Sequence, residues 1–151
     1  MNLPEFEFTF EDFFVYVMSE KCYNENVTKY IDAYGRDHTV DAASLAEHQG
    51  TVQRALAEGC TIKLEDFEHT VGFTRGTVHV FYNMPMGYSF PDHTDLCHVI
   101  IECKDGVKCL AIEDEPMSLL PGNTVEIPIG TMHHARNDFE ALIFSYGLHT
   151  Q

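Results

Sequence analysis

The chain has 151 residues, of which 44% are apolar and 12% aromatic. That is enough for one domain with a buried core, and it excludes wholesale disorder and a disulfide-stapled miniprotein. Nine basic side chains face 24 acidic ones, for a formal charge of −15, so phosphate backbones and anionic lipid are repelled and neither nucleic acid nor a membrane surface is an expected partner.

The first twenty residues carry Glu5, Glu7, Glu11, Asp12 and Glu20 and no basic segment, unlike a signal peptide. No run of about 18 apolar residues exists to span a bilayer. The cysteines at 22, 60, 97, 103 and 109 are odd in number and lack CxxC spacing. They read as reduced thiols in a cytoplasmic setting.

In chain order, Thr9 and Asp12 form a capping pair ahead of Phe10, Phe13, Phe14, Val17 and Met18, which repeat at helical spacing. Val27, Tyr30, Ile31 and Tyr34 predict a second helix that stops at Gly35. A third begins near Asp41, carries Leu45, Val52 and Leu56, and ends at Gly59, with Gly50 as a possible break. Residues 1–59 are therefore expected to be a helical extension.

After Gly59 the period falls to two. Ile62 and Leu64 alternate with polar neighbours, and so do Val78, Val80 and Tyr82. Further strands are predicted over 96–103, 107–112, 124–127 and 141–146, separated by turns at 84–87, 104–106, 121–123 and 136–138. This spacing predicts a mainly β, antiparallel sandwich or barrel over residues 60–151, with the helices packed on it.

Gly122, Pro128, Gly130, His133 and Asn137 fit G-x5-P-x-G-x2-H-x3-N without a mismatch. This is the second signature of the cupin superfamily. The first signature is partly kept: Gly87, His93 and Gly106 match, while Asp95 stands for the second histidine and Val99 for the glutamate. The chain thus resembles a small single-domain cupin, a jelly roll, over residues 87–137, about a third of its length.

The resemblance places His93 and His133 as metal ligands. On a strand, His93, Asp95, Val99 and Ile101 share one face. Two imidazoles and a carboxylate are the donor set of a facial triad, suited to Fe(II) and open to Mn, Ni or Zn. A second assignment replaces Asp95 with His98, which a β-bulge would turn inward. The apolar run Val99, Ile101, Cys103 favours the unbulged reading.

The cupin resemblance implies a metal-dependent enzyme acting on a small organic molecule, such as a dioxygenase. An isomerase or lyase would use Tyr82 or Tyr88 as its base. A metal-free module binding a sugar or small metabolite is the alternative, and a homodimer is expected in either case. The arginine that 2-oxoglutarate oxygenases carry about ten residues after the second histidine is absent, with Ile143 and Phe144 in that region, so oxoglutarate dependence is not expected. Arg75 is the candidate for a substrate anion. His38, His48, His69 and His149 read as surface or loop residues. His79 is expected on the face opposite Val78 and Val80.

Overall fold

The structure is a computed structural model that describes residues 3–149. Helix α1 (Phe10–Val17) opens with the expected capping box, in which the Thr9 side chain and Asp12 each accept from the other's backbone. Helix α2 (Glu20–Glu25) leads into strands β1 (Val27–Ile31) and β2 (Asp37–Thr39). Helix α3 (Leu45–Ala57) is followed by β3 (Thr61–Glu65), the single turn α4 (Glu68–Val71) and β4 (Gly76–Asn83). The chain continues through β5 (His98–Gly106), β6 (Lys108–Ile112), β7 (Glu115–Leu119), β8 (Thr124–Ile127), β9 (His133–Arg136) and β10 (Ala141–Leu148).

Two antiparallel sheets result. Seven strands run in the order β2-β1-β3-β4-β10-β5-β8, and three in the order β7-β6-β9. The mainly β class and the accompanying helices are as the sequence predicted. The second predicted helix is instead the β1–β2 hairpin. Val27, Thr28 and Ile31 are β-branched, Gly35 takes a positive φ of 77°, and β1 pairs with β3 from Val27↔Glu65 to Ile31↔Thr61. Pairing to a sheet edge outweighs a weak helical period. Gly50 leaves α3 unbroken. Strand β7 escaped the sequence reading because it contains Pro116, and it lies at a sheet edge, where a missing N–H is tolerated.

The outer face of the seven-stranded sheet carries the main core. Val78, Val80 and Tyr82 from β4, with Leu142, Phe144 and Tyr146 from β10, pack against Phe8, Phe13, Phe67 and the helices. Phe8, Phe13, Phe67 and Phe144 meet at tilted or edge-on angles with centroids 5.3–6.4 Å apart. The inner face carries a smaller cluster, including Val99, Ile101, Leu110 and Ile143. Between the two sheets a cavity of about 580 Å³ remains. No helix among the described residues is long and apolar enough to cross a membrane.

Candidate metal centre

Pro128 and Gly130 turn the chain out of β8, with Gly130 at a φ of 79°. The turn delivers His133 as the first residue of β9. His93 lies opposite it: each backbone N–H donates to the other's carbonyl at 3.0 Å. The Gly130 N–H donates to the Asp95 carbonyl at 3.3 Å, which ties the two signature segments together a second time.

These contacts bring His93, Asp95 and His133 together, with one ligand atom from each lying within 4.8 Å of the others. His133 Nε2 is 3.1 Å from Asp95 Oδ2, and His93 Nε2 is 3.7 Å from Asp95 Oδ1. Each ring is oriented by its other nitrogen. His93 Nδ1 donates to the Pro91 carbonyl at 3.0 Å, and His133 Nδ1 to the Thr131 carbonyl at 2.9 Å. Both Nε2 atoms therefore face the carboxylate, the ring nitrogens left to take a metal. Octahedral donors at bond lengths of ~2.1 Å stand ~3 Å apart across a right angle. The donor set and its spacing suit a divalent transition metal with further positions open.

His98 is not in this group. Its Nδ1 accepts from the Ile129 N–H at 3.1 Å, on the outer side of the chain. Residues 94–97 are irregular, yet alternation persists, and Asp95, Cys97, Val99 and Ile101 all face the cavity. His134 turns away and hydrogen-bonds Asp92.

Neither predicted tyrosine reaches the cavity. Tyr82 points to the outer core, stacks on Phe13 at 5.2 Å, and donates its hydroxyl to Glu140 at 2.6 Å. Burial and the Glu140 carboxylate push its pKa well above the ordinary phenol range. Tyr88 packs over Gly59. A base role for Tyr82 is corrected by strand phase, since in β4 the even-numbered residues face the helices, and one for Tyr88 by its place against Gly59, outside the cavity lining. Arg75 is exposed, and so is Arg136, which pairs with Asp138 at 3.4 Å. Of the expected surface histidines, His48 is buried instead, its Nε2 2.8 Å from the Val17 carbonyl oxygen.

The sequence reading missed Lys108. Its side chain is buried, and its Nζ donates to Asn83 Oδ1 at 2.9 Å and to Asn137 Oδ1 at 2.8 Å. Among the described residues no carboxylate pairs with it, and it lines the same cavity as the triad. Burial brings its pKa down to about 8. Lys63 also faces the cavity but is neutralised by Glu65 at 3.2 Å and Asp37 at 3.7 Å. Asn137, the last fixed position of the second signature, spends its amide N–H groups on the Gly87 and Tyr88 carbonyls and its oxygen on Lys108. A signal was present: Lys108 is in phase with inward-facing Leu110.

No protein-family model matches the chain, and no curated protein matches it by sequence. Solved structures do match. The ribosomal oxygenase YcfD from Escherichia coli, in complex with cobalt and succinic acid, aligns over 100% of this chain and 45% of its own, with 14% identity and a TM-score of 0.70. The same protein with cobalt and 2-oxoglutarate gives a TM-score of 0.68. A conserved protein of unknown function from Streptococcus pyogenes matches over 60% of this chain and 75% of its own, with 14% identity and a TM-score of 0.51. The fold is cupin-type. The chain spans a little under half the length of the E. coli oxygenase, and identity at this level shows a shared fold alone.

Proposed function

We propose that this cupin-type protein is a metal-dependent oxidoreductase of the dioxygenase type, holding Fe(II) through His93, Asp95 and His133 and acting on a small organic molecule. The observation that carries this reading is one cavity containing both an oriented two-histidine, one-carboxylate cluster and an unpaired buried ammonium. The YcfD structures that share the fold contain cobalt with succinic acid or 2-oxoglutarate, which supports a 2-oxo dicarboxylate as cosubstrate class. Lys108 then supplies the cation that the missing arginine does not.

The chain's own residues divide the work. The Pro91 and Thr131 carbonyls fix both imidazoles before any metal arrives, so little reorganisation accompanies binding. Asp95 contributes the negative charge that holds a divalent ion. A bound Fe(II) supplies the redox chemistry of oxygen activation. Lys108 fixes a carboxylate at the far end of the cavity, with Asn83 and Asn137 keeping its Nζ in place. Val99, Ile101, Leu110 and Ile143 give the space between part of its apolar lining. A lyase or isomerase with a tyrosine base has less support, because Tyr82 and Tyr88 face elsewhere.

The test is anaerobic purification, elemental analysis and Fe(II) titration, followed by oxygen uptake with 2-oxoglutarate. Stoichiometric metal and 2-oxoglutarate-dependent oxygen uptake are expected. A protein that takes up no Fe(II), Mn(II), Ni(II) or Zn(II) overturns the reading and leaves a metal-free binding module.

A further inference from the structure

The register of the strands orders the cavity along its length. At one end lie the triad and, on the opposite sheet, Thr77 beside Gly147. At the other end Lys108 reaches Asn83, the last residue of β4. His133 and Asn137 mark the same two ends on β9 and its continuation, four residues or ~13 Å apart along the chain. Midway, His79 and Ser145 are directly paired across β4 and β10, both facing inward. Cross-strand neighbours on one face have Cβ atoms ~5 Å apart.

The surroundings of that midpoint are mixed: Lys63 also lines the cavity, and Glu65 lies beside His79. Leu110, Ala135 and Ile101 complete the walls. Thr77, His79 and Ser145 are half-buried, so their polar atoms face the cavity without being sealed from water, and His79 Nε2 lies 4.0 Å from Glu65 Oε2. Thr77 keeps its space because residue 147 is a glycine: a Cβ there would lie 2.8 Å from Thr77 Oγ1. Burial, and then the nearby Lys63, lower the His79 pKa, so the ring is neutral and can donate or accept. Half-buried polar groups that face a cavity can exchange water for the hydroxyl or amide of a ligand.

We propose that His79 and Ser145, assisted by Thr77, form a hydrogen-bonding subsite that selects ligands with a hydroxyl or amide between a metal-binding head and a carboxylate tail held by Lys108. That span is the one given above to a 2-oxo dicarboxylate, so a small hydroxylated or amidated acid of this kind would compete with that cosubstrate for it. This inference rests on the metal and Lys108 assignments above and adds the residues that read the middle of the ligand.

The experiment compares glutarate with 3-hydroxyglutarate by calorimetric titration into Zn(II)-loaded protein. The hydroxylated acid is expected to bind about tenfold more tightly, the worth of one or two hydrogen bonds. The double variant His79→Leu/Ser145→Ala should abolish the preference and leave glutarate affinity within about threefold. His79→Gln, which keeps donor and acceptor, should retain most of it. A preference below about twofold in the parent protein, or one that survives the double variant, overturns the inference alone. If zinc binds and neither acid does, the Lys108 assignment has failed and the subsite falls with it.

Discussion

The two faces of the central sheet are built to opposite rules. Along β4, Val78, Val80 and Tyr82 turn outward into an aromatic core, whereas Thr77, His79 and Phe81 turn inward to the cavity. β10 repeats the division, with Leu142, Phe144 and Tyr146 outward and Ile143, Ser145 and Gly147 inward. The outer face is closely packed and sealed by the N-terminal segment. The inner face keeps a cavity partly lined by polar groups. Stability is thus concentrated on one side of the sheet, and the candidate chemistry on the other, so the two should respond independently to substitution.

The largest effect is expected on the outer face. Phe144 is fully buried among Phe8, Phe67 and Tyr146. Phe144→Ala should cost about 4 kcal/mol, measured by chemical denaturation. Metal affinity, measured under native conditions, should stay within a few-fold. A matching collapse of metal binding in the folded variant would show that the faces are coupled. Next comes His133→Ala. It removes one ligand and should weaken metal binding at least about 100-fold, while metal-free stability falls by about 1 kcal/mol. Unchanged metal affinity would remove the basis for the centre.

This division also explains what could be read from the sequence. The fixed glycines and proline of the second signature encode local turns, so the position of His133 was legible. Strand phase put Asp95 inward, although residues 94–97 form no regular strand. Phase was also enough to exclude Tyr82 had the outer face been recognised as core. It was not, because the N-terminal aromatics that cover it are distant in sequence. The β1–β2 hairpin was hidden for the same reason: its helical period is local, and its pairing with β3 is not. Lys108 looked like an ordinary charge because nothing local shows that Asn83 and Asn137 converge on it.

Lys108 sharpens the comparison through pH. In metal-loaded protein, succinate binding should weaken as pH rises through about 8, where the buried ammonium loses its proton. Lys108→Met should weaken it at neutral pH about 30-fold or more and remove that pH dependence. Stability moves the other way. The folded-state pKa lies below the unfolded value, so burying the charge costs on the order of 3 kcal/mol below pH 8, and the cost is relieved as pH rises from about 8 to about 10.5. Buried Cys22, its thiol pushed up to about 11 by burial, opposes this above pH 9, so the difference between parent and Lys108→Met is the quantity to measure. A flat difference would mean that Lys108 is solvated.

The smallest effect is expected at His98, and it decides between the two ligand sets the sequence allowed. His98 precedes inward-facing Val99, so it lies on the other side of the strand. Its Nδ1 is occupied as the acceptor for the Ile129 N–H. A side-chain amide oxygen can accept the same bond, so His98→Gln should alter metal affinity by less than about threefold and stability by less than about 1 kcal/mol. His98→Ala gives up that bond and should cost about 1 kcal/mol with the metal still held. If either variant instead loses metal as His133→Ala does, the chain around 94–97 rearranges on metal binding to bring a third imidazole inward, and the separation of the two faces fails at its most irregular point.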